Sequence, residues 1–64
     1  MQKQIAKFTM NNRTVKVYHT DNFVPEYLVY IMQDGKPFLL DGFDSMDDSI
    51  NYALYYCKFG TDIY

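Results

Sequence analysis

The chain has 64 residues, 48% of them apolar, 19% aromatic and 22% charged, with a formal net charge of -2 and a pI near 4.9. This is too hydrophobic for disorder, too interrupted by charge to span a membrane, and long enough for one domain only (residues 1–64), with a core barely sufficient to offset chain entropy. A lone cysteine, Cys57, cannot form an internal disulfide, and the Met-Gln-Lys-Gln start runs into alternation rather than an apolar stretch, so a cytoplasmic protein with no leader or membrane anchor is expected.

From Gln4 to Thr20 two alternating runs flank Asn11-Asn12, and asparagine tolerates the positive φ of a tight primed turn. A first β-hairpin is therefore predicted, pairing Met10 with Arg13, Phe8 with Val15 and Ala6 with Val17 on one face. On the other face Thr9 pairs with Thr14, Lys7 with Lys16 and Ile5 with Tyr18. Two lysines directly opposite each other are mildly unfavourable unless solvated or relieved by an anionic neighbour.

Residues Thr20 to Glu26 contain Asp-Asn and a proline without a clean period and read as a loop. Strand character resumes at Tyr27, and Asp34-Gly35 is a strong turn signal for a second hairpin that continues to Leu40. Its register sets Val29 against Leu40 and Ile31 against Phe38, with Tyr30 against Leu39 and Met32 against Pro37 on the reverse. Proline has no N–H to give a further strand, so the fourth strand is predicted to be a sheet edge.

After Asp41-Gly42, Ser45-Met-Asp-Asp48 resembles a capping box, and Asp44, Asp47 and Asp48 suit the positive end of a helix. The helix is predicted from about Met46 to Phe59, stopped by Gly60. Met46, Ile50, Ala53, Leu54 and Cys57 form one stripe able to lie on the sheet. The segment Phe43 to Ala53, following a hairpin, resembles the strand-then-capped-helix ending of many small α+β modules, including those of antitoxin and phage accessory proteins. The fold class expected is α+β: a four-stranded antiparallel sheet from two hairpins, packed on one face by a C-terminal helix.

Two apolar surfaces lack an obvious cover. Tyr52, Tyr55 and Phe59 share a helix face opposite the predicted core stripe, unless Ile63-Tyr64 folds back over them. The second hairpin is apolar on both sides, so one helix leaves Leu28, Tyr30, Met32 and Leu39 uncovered unless Phe23-Val24 caps part of that set. Aromatic and methionine-bearing surfaces of this kind are enriched in protein interfaces.

Charge is also divided along the chain. Lys3, Lys7, Arg13 and Lys16 occupy the first twenty residues with no acid, and the remainder carries all eight acids against Lys36 and Lys58. The basic hairpin, interleaved with Phe8 and Tyr18, offers an alternative reading as a single-stranded nucleic-acid surface. Asp41, Asp44, Asp47 and Asp48 lack the spacing of a Ca2+ loop, and three of them are explained by the helix start. His19 has no companion for a metal site. Ser45, Ser49 and Cys57 are poor nucleophile candidates, the first a cap and the last on the apolar stripe. No catalytic residue, metal, cofactor or small-molecule substrate is expected. The favoured reading is a non-enzymatic protein-binding module, an accessory or inhibitory protein of a phage or mobile element acting through Tyr52, Tyr55, Phe59, Leu28, Tyr30, Met32 and Leu39. The alternatives are nucleic-acid binding by Lys3, Lys7, Arg13 and Lys16, and a homodimer in which the patches serve self-assembly.

Overall fold

A computed structural model describes residues 2–21 and 24–61. Four strands, β1 (Gln2–Met10), β2 (Arg13–Thr20), β3 (Tyr27–Gln33) and β4 (Lys36–Phe43), precede one helix, α1 (Met46–Phe59). The strands form an open antiparallel sheet in the order β1-β2-β3-β4, and the helix packs on one of its faces, an α+β fold. Each turn follows from local chemistry. Asn11 (φ 51°) and Asn12 (φ 64°) close the first hairpin, and Asp34 (φ 52°) with Gly35 (φ 77°) closes the second. Thr20 holds both ends of the intervening loop, its N–H and its hydroxyl both donating to the Glu26 carbonyl at 2.8 and 3.2 Å.

Ser45 caps the helix, its hydroxyl accepting from the Asp48 N–H at 3.4 Å, with Asp47 and Asp48 in the first turn. Gly60 ends it in the left-handed conformation (φ 73°) and donates its N–H to the Tyr56 carbonyl at 2.7 Å. Beneath the helix lie Val15 and Val17 of β2 and Val29 and Ile31 of β3, sealed by Tyr52, Ala53 and Cys57.

Three features depart from the expected pattern. In the first hairpin the register holds from Met10–Arg13 to Ala6–Val17, then a bulge intervenes and Gln4, not Ile5, faces Tyr18. Ile5 thereby joins Ala6 against the core. In the second hairpin a bulge at Leu40 sets Val29 against Asp41 instead of Leu40, and Leu40 packs against the core as the extra residue. Thirdly, the helix is turned about its axis. Its buried face comprises Ser49, Tyr52, Ala53 and Cys57, whereas Met46 and Leu54 are exposed. Ser49 tolerates burial because its hydroxyl donates to the Met46 carbonyl at 2.7 Å.

Both sheet edges are blunted against further strands. β4 carries Pro37 and its bulge, and β1 carries Lys3, Lys7 and its own bulge. At the loop end of β4, a Cβ on Gly42 would overlap the Pro25 ring and press on Leu28. Gly42→Ala is therefore expected to lower stability by about 1–3 kcal/mol, read as a reduced urea midpoint at unchanged m. A wild-type midpoint would show that the Pro25 loop yields freely.

Candidate functional site

Cross-strand partners in an antiparallel sheet point to the same side. The register therefore places on the helix-free face Gln4, Lys7 and Thr9 of β1, Thr14, Lys16 and Tyr18 of β2, Leu28, Tyr30 and Met32 of β3, and Pro37 and Leu39 of β4. Lys7–Lys16–Tyr30–Leu39 run across the sheet as one row. Tyr18 meets Tyr30 edge-on, ring centroids 5.5 Å apart at 90°. These two rings, with Gln2 and Pro37, line a shallow groove of about 170 Å³. Leu39 is 58% exposed. The Pro25 ring covers the Gly42 end of the face, whereas Val24, expected to share that task with Phe23, is 87% exposed. Phe23, like Ile63 and Tyr64, lies outside the described residues.

No strand position on this face is an acid. Lys7 and Lys16 face each other in a non-hydrogen-bonded pair, where Cα atoms approach to about 4.5 Å. Among the described residues neither forms an ion pair. Thr9 and Thr14 satisfy each other alongside, with hydroxyls 3.3 Å apart. The second hairpin thus presents Leu28, Tyr30, Met32 and Leu39 together on this surface, beside a positively charged patch.

The helix aromatics separate. Tyr52 is only 4% exposed, with the Phe43 ring at 5.2 Å and the Tyr56 ring at 6.2 Å, so it belongs to the core and not to a partner-binding surface. Tyr55 and Phe59 remain near the surface and stack on each other at 4.7 Å, with Lys58 Nζ 5.3 Å from the Phe59 ring. They form a small, self-contacting group.

The four basic residues of the first hairpin do not share a surface either. Lys7 and Lys16 lie on the open face, but the bulge pairs Lys3 with His19, on the helix side. Arg13 is engaged at the helix C-terminus, where Nη1 donates to the Cys57 carbonyl at 3.1 Å and the Lys58 carbonyl at 3.4 Å. A larger cavity of about 440 Å³ between the hairpin tips and the helix end is lined in part by Arg13, Asp34, Tyr56 and Gly60. Its guanidinium is committed to those carbonyls, which gives the cavity a structural explanation.

Ser45 and Ser49 bond the first turn of α1, and Cys57 lies near its other end. The Cys57 thiol is buried, its Sγ 3.4 Å from both the Phe8 and the Arg13 carbonyl oxygens, which share its one S–H. His19 stacks on Tyr27 at 4.9 Å, its Nδ1 3.8 Å from Asp21. Asp41 accepts the N–H of Gly42 at 2.7 Å. Among the described residues no group of three or more His, Cys, Asp or Glu is placed to hold a metal ion, and no helix is long and apolar enough to cross a membrane.

The fold and this surface define a small α+β protein with one covered and one open sheet face. No family model matches the chain, and neither a curated protein nor a solved structure matches it significantly.

Proposed function

We propose that the chain is a non-enzymatic protein-binding module that engages its partner through the open face of the sheet. The observation that carries this reading is the concentration of Tyr18, Leu28, Tyr30, Met32 and Leu39 on a face that no element of the described chain packs across. Leu39 is exposed and the other four are half-buried, and aromatic and methionine side chains are enriched at interface centres. Rigid strands hold it, so little order is lost on binding. The blunted edges direct a partner to the face instead of to strand addition. A single buried thiol suits the reducing cytoplasm, and a small chain that occupies a partner's surface suits an accessory or inhibitory role.

The test compares two double variants as bait for a cell extract. Tyr30→Ser with Leu39→Ser is expected to abolish retention of the specific partner, while Tyr55→Ser with Phe59→Ser retains it. The opposite result would move the site to the helix. A second reading, single-stranded nucleic-acid binding, draws on Lys7 and Lys16 beside Tyr18 and Tyr30, the combination of cation and stacking platform that such sites use.

A further inference from the structure

The open face carries two directly opposed lysines. Among the described residues no acid occupies a strand position on this face. The directly opposed Lys7 and Lys16 repel each other with no carboxylate of the described chain between them. Resting on the reading of this face as a protein-binding surface, we infer that its occupant is an acidic segment of another protein, whose carboxylates meet Lys7 and Lys16 while one large apolar side chain enters the groove of Gln2, Tyr18, Tyr30 and Pro37. At about 170 Å³ that groove is well below the roughly 300 Å³ at which drug-sized ligands become enclosed, and it suits a single side chain.

Two other occupants fit the same observations less well. A second copy using this face would form an isologous contact, which brings two further lysines to a surface whose described strand positions hold no acid. A nucleic-acid strand would find only two cations, since Lys3 belongs to the helix side and Arg13 caps the helix. Neutralising two phosphates of a single strand gives a salt slope of only about -1.4, too small for electrostatics to supply much affinity. An acidic protein segment needs two rim charges and one buried anchor, which is what the face offers.

The experiment titrates the isotope-labelled chain at low ionic strength with three probes, following backbone amide resonances. The first is a twelve-residue peptide with four glutamates around a central tryptophan, the second its counterpart with lysines for glutamates, the third a thymidine dodecamer. The acidic peptide is expected to shift the amides of Lys7, Lys16, Tyr18 and Tyr30 and to bind at least about tenfold more tightly than the basic one. Lys7→Glu with Lys16→Glu reverses that order, and Lys7→Gln with Lys16→Gln, a milder change to the fold, erases it. Equal binding of both peptides at the open face would overturn the acidic occupant while leaving the face as the contact surface. Shifts confined to the helix, or none with any probe, would overturn both. Tighter binding of the thymidine dodecamer would replace the acidic segment with a polyphosphate.

Discussion

Tyr52→Ala is expected to remove about 3–5 kcal/mol of stability. A domain of this length holds roughly 3–10 kcal/mol in total, so the variant is largely unfolded or close to it at room temperature. The ring is 4% exposed, and Phe43 and Tyr56 flank it at 5.2 and 6.2 Å, so truncation leaves a cavity that those rings fill only in part. Phe59, one face of the helix away and 54% exposed, is expected to cost under about 1 kcal/mol on the same change. Urea unfolding followed by far-ultraviolet circular dichroism compares the two. Similar midpoints would mean that the helix presents a different face to the sheet.

Gly60→Ala is expected to lose about 2–4 kcal/mol, from two sources. The left-handed φ of 73° costs a residue with a Cβ about 1–2 kcal/mol. The added methyl would also occupy the space of the Arg13 guanidinium, displacing a group that donates to the Cys57 and Lys58 carbonyls and opposes the negative end of the helix. Charged hydrogen bonds of this kind contribute about 1.5–3 kcal/mol. A double-mutant cycle separates the two sources. With Arg13→Ala already present, Gly60→Ala should cost only the backbone contribution, a coupling of about 1–2 kcal/mol. Additive losses would show that the guanidinium moves aside without penalty.

The parts of the fold set by near neighbours were readable from the residues alone. Asn11-Asn12, Asp34-Gly35, Ser45 and Gly60 each satisfy a steric or hydrogen-bonding demand within a few positions, and each stands where expected, as do both ends of the helix. Pro37 likewise marks an edge strand. The bulges at Ile5 and Leu40 have no turn residue or glycine to announce them. They arise because a twisted sheet under a helix gains by adding one more apolar side chain to its covered side.

Helix phase failed for a related reason. Counting Met46 and Leu54 as core and the tyrosines as surface shifts the stripe by roughly two thirds of one 100° residue step. Tyrosine is amphipathic, and a serine that bonds its own helix is not polar in effect, so Tyr52 and Ser49 can be buried. Of the candidate site, the two-sided apolarity of the second hairpin was visible in the unbroken apolar run from Tyr27 to Met32. The separation of Lys3 from Lys7 was not, because it depends on the bulge; nor was Arg13's engagement with the helix end, a contact across 44 residues.

The docking of the helix on the opening hairpin ties the two ends of the described chain into one cooperative unit. Cys57 reaches the carbonyls of Phe8 and Arg13, and Asn11 holds the Lys58 carbonyl at 2.8 Å, so the element made after both hairpins is the one that shields the first. Without it, Val15, Val17, Val29 and Ile31 lose the helix side chains that seal them, and the sheet is bare on both sides. A chain cut before Met46 is therefore expected to aggregate instead of folding as a smaller domain.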